Sequence, residues 1–266
     1  MEKTPVLFYK EGTCSLASLI TQVWSKKPFY VTRVEDKDLE NGDLLTITAM
    51  GEVPMIYLDG TVITENVAVL THIALLDLSK KLIFQPGTPD FDQFMRALGF
   101  LTSSFHKSFF PLFMAEDLTT DKKSQEEIKQ NTIQGHIREM FDYVDEHLLR
   151  TTFMYEHPMA IDAYLFAMAR WGEDLFDIAK EFPHIKRFQE AMGKDPGVQL
   201  ALAIETQKQK DAKGGFLGVK EFETFIKEAA KRKREVDLEK GDGEFSPGMQ
   251  IHHDPEKEKE QALKHG

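Results

Sequence analysis

Strand signals are confined to the first third of this 266-residue chain, and that order limits the fold more than any other feature. Residues 6–9 (Val-Leu-Phe-Tyr) read as a short buried strand, followed by a turn at Glu11-Gly12-Thr13. Leu16, Leu19, Ile20 and Val23 then fall at helical spacing. Pro28 closes that helix, and residues 29–34, rich in aromatic and β-branched side chains, read as a second strand. Asn41-Gly42 marks a turn or a helix end. Residues 55–58 and 62–64 form two short strands separated by Asp59-Gly60, the strongest hairpin signal in the chain. Residues 65–78 return to helical spacing through Val69, Ile73 and Leu76.

The sequence thus runs β-α-β, an irregular stretch, then β-β-α. A parallel unit followed by a hairpin and a covering helix is the thioredoxin-like arrangement. Gln85-Pro86-Gly87-Thr88-Pro89 is a linker by composition. Beyond it, Phe91, Phe94, Leu98, Leu101, Phe105 and Phe109 mark one face of a long helix. Ile133, Ile137, Met140, Val144 and Leu148 mark another, and residues 162–171 and 183–192 add two more, so a helical bundle is expected. The fold class is α+β. A thioredoxin-like domain (1–82, β-α-β-α-β-β-α) precedes a linker (83–90), an all-helical domain (91–207) and a charged tail (208–266). In the tail, Val219, Phe222, Phe225, Ile226 and Ala229 suit one amphipathic helix, and the last 26 residues suit disorder. So little apolar material implies that the chain from Lys213 onward can be removed without unfolding the body. Lys231-Arg232-Lys233-Arg234 reads as a solvated helix face balanced by Glu235, Asp237 and Glu239 rather than as a nucleic-acid patch.

The net charge of −11 argues against polyanionic partners such as nucleic acid or an anionic membrane. The tail carries thirteen basic and thirteen acidic residues, so the whole deficit sits in the first 207 positions. No apolar run is long enough to span a bilayer, and residues 6–9 stop at Lys10-Glu11, too short for an export signal. One cysteine, Cys14, excludes an internal disulfide and fits a reducing cytoplasm. No phosphate-binding glycine loop, nucleophile elbow or paired-histidine metal motif is present, and no metal is expected; His252-His253-Asp254 is a weak candidate.

Cys14 sits between a strand and a helix start. Backbone N–H groups and the helix dipole there can lower a thiol pKa. Position alone leaves a reactive thiol and an inert buried one equally open. Gly51-Glu52-Val53-Pro54 leads into a strand. A trans turn is the ordinary reading, whereas a cis bond would present the Val53 backbone as an edge for a short peptide. Thr64-Glu65-Asn66 opens a helix; this is either a plain helix start or a place where N–H groups and Asn66 hold a carboxylate while Glu65 takes an ammonium.

Taken together, Leu7-Phe8-Tyr9-Lys10, Gly12, Cys14-Ser15-Leu16-Ala17-Ser18, Leu39-Glu40-Asn41-Gly42-Asp43, Val53-Pro54, and Leu58-Asp59-Gly60 through Thr64-Glu65 resemble the cysteine-containing beta class of bacterial glutathione transferases. The likeness continues in Phe105-His106-Lys107, Leu112-Phe113, Ile161-Asp162-Ala163-Tyr164-Leu165-Phe166 and Arg170-Trp171, and covers roughly residues 5–205. It implies that Cys14 faces the glutathione sulfur with His106 close by. Val53, beside Pro54, would pair with the cysteinyl unit, Glu65 and Asn66 would hold the γ-glutamyl end, and Lys37 would reach the glycine carboxylate. Ser103 and Ser104 would approach from the second subunit of a homodimer.

There are departures from the pattern. Asn66 replaces a serine or small residue, Thr48-Ala49-Met50-Gly51 lacks the usual lysine, Gly99 replaces an asparagine, and Met159 replaces a helix-capping serine or threonine. Losing that hydroxyl costs roughly 1 kcal/mol. The implied activity is conjugation of reduced glutathione, the co-substrate, to small electrophiles in detoxification, with thiol-disulfide reductase or peroxidase activity through Cys14. The competing readings are a non-catalytic adaptor or regulator of the same fold, and a ligand-sequestering protein using Phe105, Phe109, Phe110 and Phe113.

Overall fold

A computed structural model describes residues 4–40, 42–77, 79 and 81–240. Two expectations, disorder in the last 26 residues and the weak metal candidate at His252-His253-Asp254, lie outside the described residues.

The first domain runs β1 (Val6–Tyr9), α1 (Leu16–Ser25), β2 (Phe29–Arg33), α2 (Asp36–Glu40), β3 (Met55–Leu58), β4 (Thr61–Ile63) and α3 (Asn66–Leu75). The hairpin β3–β4 turns on Asp59 and Gly60, both at positive φ (+49° and +85°), as a two-residue connection requires. β1 pairs parallel with β2 (Leu7 opposite Val31) and antiparallel with β3 (Leu7 opposite Ile56). Alternation then sends Leu7, Tyr9, Phe29, Val31 and Ile56 to one face, against α1, α3 and the helical domain. Val6, Phe8, Met55 and Tyr57 go to the other face.

The second domain is helical: α4 (Pro89–Phe100), short α5 (Phe110–Phe113) and α6 (Ala115–Leu118), then α7 (Lys122–Thr132), α8 (Arg138–His147), α9 (Ala160–Ala169), short α10 (Ile178–Glu181), α11 (Pro183–Lys194) and α12 (Pro196–Glu205). Where one long helix was expected over 91–109, α4 widens into a π-type turn, Leu101–His106. The apolar face still holds: Phe94, Leu98, Leu101, Phe105 and Phe109 are all buried within the chain. Every residue of α9 is buried. With Met159 in place of a hydroxyl, the Asp162 carboxylate supplies the cap, accepting from Met159 N at 2.9 Å and from Met154 N at 2.8 Å.

The tail corrects the expectation that it buries little. Phe216–Val219 forms β5, which pairs parallel with β2 and extends the sheet to the order β4-β3-β1-β2-β5. Val219 therefore belongs to a strand, and the helix begins later, as α13 (Phe222–Lys240). Phe216, Phe222, Ile226 and Ala229 are buried. The helix covers the sheet's second face: the Phe225 ring lies 5.7 Å from Phe8 and 5.4 Å edge-on from Tyr57. The approach is close enough that a Cβ at Gly60 would stand 2.6 Å from Val236 Cγ2, while Arg232 Nε pairs with Asp59 at 3.1 Å. Sequence reading counted too few apolar residues because the sheet supplies the other half of this small core.

Candidate active site

The loop after β1 is braced from both domains. Ser15 Oγ accepts from Lys10 N and donates to Lys10 O, at 3.1 and 3.0 Å. From the helical domain, Glu205 Oε1 accepts from Gly12 N at 3.1 Å and Trp171 Nε1 donates to Gly12 O at 2.8 Å. Arg170 holds Glu205 with two hydrogen bonds, at 3.1 and 3.2 Å. Gly12 takes φ +77° here. These contacts fix the backbone just ahead of Cys14.

Cys14 precedes α1, but burial outweighs the helix N-terminus. Its thiol is pushed up to about 12, first by desolvation and then by the Glu52 carboxylate. Of the two readings that position left open, burial favours the neutral thiol over the reactive thiolate in the unliganded protein. The Val53–Pro54 bond is cis, where a trans turn was the ordinary reading. Pro54 is buried and Val53 half-buried.

Glu65 is exposed at the head of α3, with φ +66°. Asn66 turns inward: its Nδ2 donates to Cys14 O at 3.2 Å and its Oδ1 accepts from Ser18 Oγ at 3.1 Å. What α3 offers outward is backbone N–H and the Glu65 carboxylate. Glu52, given no role by sequence reading, lies within electrostatic reach of Glu65; burial and that neighbouring charge hold its carboxyl above the ordinary range. The Cys14 thiol feels the charge of Glu52, and the Tyr164 phenol feels first Cys14 and then Glu65. Lys37 is exposed on α2 and lines the groove against α13 with Ile226, Lys227 and Arg234. Ser103 is exposed on the turn after α4, its hydroxyl donating to Gly99 O at 2.9 Å, and Ser104 is half-buried.

His106 ends that turn. Its Nδ1 lies 2.9 Å from the Tyr164 hydroxyl, and its ring centroid is 5.3 Å from Trp171 and 5.4 Å from Phe110. Burial pushes the imidazole down to about 4, so it is neutral at neutral pH. Tyr164, on α9, is fully buried, and desolvation raises its phenol well above the usual value. Tyr164 lies within the motif at 161–166, but only the fold brings α9 to His106. Of the aromatic residues expected to line a groove, Phe105 and Phe109 are core, whereas Phe110 and Phe113 are exposed. Phe113 packs edge-on against Trp171 at 5.3 Å. Among the described residues no cluster of three or more metal-ligating side chains occurs, and no helix is long and apolar enough to cross a membrane.

The depressed imidazole has a stability consequence. A base whose folded value lies below its unfolded value of 6.5 contributes stability above pH 6.5, and loses it as pH falls toward 4. Between pH 7 and 5 the loss should be about 2 kcal/mol. Urea unfolding should show that loss in the wild type and not in His106→Gln; equal losses in both would mean that His106 is not held neutral by the fold.

No protein-family model matches the chain. The chain is 33% identical over 207 residues to the glutathione S-transferase GstA of Escherichia coli O157:H7, covering 76% of this chain and 99% of that relative. The beta-class glutathione S-transferase of Sphingomonas chungbukensis is similar in structure, with TM-score 0.67 at 28% identity over 75% of this chain and 98% of its own. A sphingomonad glutathione S-transferase solved in complex with glutathione gives TM-score 0.67 at 28% identity, covering 76% and 98%. Thioredoxin-like sheet, helical domain and relatedness over nearly the whole length of these proteins agree: the chain is an enzyme of the glutathione transferase family.

Proposed function

We propose that the enzyme conjugates reduced glutathione to small apolar electrophiles, with the glutathione sulfur held as a thiolate by two neutral donors, Cys14 and His106. The support for this is that both groups lie by Tyr164, which is hydrogen-bonded to His106 and feels Cys14. Burial pushes the thiol up to about 12, so that it remains S–H, and the imidazole down to about 4, so that it remains uncharged. Donors that stay protonated can stabilise a thiolate without quenching it. The γ-glutamyl ammonium would lie by Glu65, with Glu52 adding negative charge, and its carboxylate at the N-terminus of the ten-residue helix α3. The Val53 backbone beside Pro54 would pair with the cysteinyl unit, and Lys37 would reach the glycine carboxylate. The sulfur attacks the electrophile, a C–S bond forms, and the leaving group departs with its electron pair. Phe110, Phe113 and Trp171 offer an aromatic wall for the second substrate. Retention on immobilised glutathione and turnover of an activated aryl halide test the reading. Glu65→Gln should raise KM for glutathione about tenfold or more, as loss of a charged hydrogen bond does. Wild-type protein that neither binds the matrix nor turns over would defeat it.

The working unit is proposed to be a cytoplasmic homodimer in which Ser103 and Ser104 approach the partner's glutathione. The apolar face that begins on α4 is buried within the chain and calls for no partner. Support comes instead from exposed Leu45, Met50 and Leu75 on the first domain. Sedimentation at micromolar concentration should give a dimer, and a stable monomer would remove this part of the proposal.

A further inference from the structure

His106 Nδ1 is hydrogen-bonded to the Tyr164 hydroxyl at 2.9 Å. Asn66, whose Oδ1 accepts from Ser18 Oγ and whose Nδ2 donates to Cys14 O, and Thr102 are the other polar side chains near that hydroxyl. A phenolic O–H is a stronger donor than an imidazole N–H, and a bare imidazole nitrogen is a stronger acceptor than a phenolic oxygen, so the phenolic proton goes to His106 Nδ1. Thr102, whose hydroxyl donates to Leu98 O at 3.0 Å, is the competing acceptor, and its oxygen is a weaker base than the imidazole nitrogen. The phenol sits on a fully buried helix and cannot swing to another partner.

We infer that Tyr164 is a positioning residue that holds His106 with Nδ1 as acceptor and Nε2–H as donor, so that the imidazole presents a proton to the glutathione sulfur and does not take one. This rests on the glutathione reading above. The tautomer of a histidine is set by the hydrogen bond its other nitrogen makes. A base would need the opposite arrangement, with Nε2 bare. The titratable groups around the pair are Cys14 on the loop before α1 and Glu65 at the head of α3, together with Tyr164 itself. Asn66 departs from the family pattern at this point. Its amide binds the Cys14 carbonyl at 3.2 Å and lies near the phenol.

The test is nitrogen NMR of the unliganded, full-length protein labelled at histidine, with the His106 signals assigned by their absence in His106→Gln. Wild type should show a non-protonated Nδ1 and a protonated Nε2 throughout the neutral range. In Tyr164→Phe the ring volume remains but the donor is gone. Protonating Nδ1 then no longer breaks a hydrogen bond, so His106 should titrate at higher pH than in wild type, and its Nδ1 shift should move. In the same variant kcat should fall roughly tenfold with KM for glutathione within about twofold, the pattern of a contact used in the transition state. A protonated Nδ1 in wild type, or a Tyr164→Phe variant with unchanged shifts and unchanged kcat, would overturn the inference. Because the NMR needs no glutathione, a wild type that fails on immobilised glutathione while showing the expected tautomer defeats the functional reading and not this one.

Discussion

Removing the chain from Gly214 onward should lower the melting temperature by ten degrees or so, or leave the body insoluble. The tail's own buried side chains, Phe216, Phe222 and Ile226, are each worth about 1.5–3 kcal/mol when withdrawn from water. On the sheet side the deletion uncovers Val6, Phe8 and Tyr57, and leaves the backbone of β2 unpaired along the edge that β5 occupies. Against this stands the entropy recovered by the released chain, so the net loss is a fraction of the gross burial. A net loss of about 3 kcal/mol already gives a shift of that size in a protein this long. Two full-length variants separate the tail's packing from the mere effect of cutting. Ile226→Asp places a carboxylate in the small core under α13, and Phe216→Ala empties the contact with Phe29, whose ring lies 5.8 Å away. Both should melt well below wild type. Calorimetry showing all three proteins within two or three degrees of wild type would return the tail to the status of a solvated appendage.

The contrast between the tail and the first domain shows what a sequence can carry. Strands β1 to β4 were legible because their signals are local: four apolar residues before a glycine turn, or Asp59-Gly60 between two β-branched runs. The sheet's fifth strand was not, because Phe216-Leu217-Gly218-Val219 is half exposed and acquires its partner from residues almost two hundred positions earlier. Similarly, the line of Phe94, Leu98, Leu101, Phe105 and Phe109 was read correctly as one face. Which residues lay open to solvent beyond it, Phe110 and Phe113, depended on how the chain turns after His106. Of the residues proposed for the site, Cys14, Glu65 and His106 could be named from a motif, since motifs record residue types at spacings. Tyr164 and Glu52 could not be proposed from spacing, because the argument for them lies in what surrounds them in the fold. Position left the Cys14 thiol open between reactive and inert for a related reason: a helix start is visible in sequence, whereas the depth at which it is buried is not.

Cys14 should therefore alkylate roughly fifty- to a hundredfold more slowly than free cysteine at neutral pH in the unliganded protein. With the thiol pushed up to about 12 against an ordinary value near 8.5, the thiolate fraction falls by more than three powers of ten. Part of that is recovered because a more basic thiolate is a better nucleophile, with a Brønsted slope of about 0.4–0.5. The rate should keep climbing with pH through 9 and 10 instead of levelling near 8.5. Oxidised glutathione should form little mixed disulfide at neutral pH for the same reason: the step requires the Cys14 thiolate to attack one sulfur of the disulfide and expel a glutathione thiolate. The raised value suits the part proposed for the thiol in conjugation. As S–H it can donate to the glutathione sulfur, so Cys14→Ser, which keeps a donor, should conjugate near the wild-type rate. Cys14→Ala should lose a few-fold to tenfold, the range of one hydrogen bond worth about 1–1.5 kcal/mol. Intact-protein mass spectrometry after oxidised glutathione, alkylation rates across pH and conjugation kinetics of the two variants measure all of this together. Fast adduct formation at neutral pH, with an alkylation plateau below pH 8.5, would instead make Cys14 a nucleophile and reductase chemistry the enzyme's principal activity.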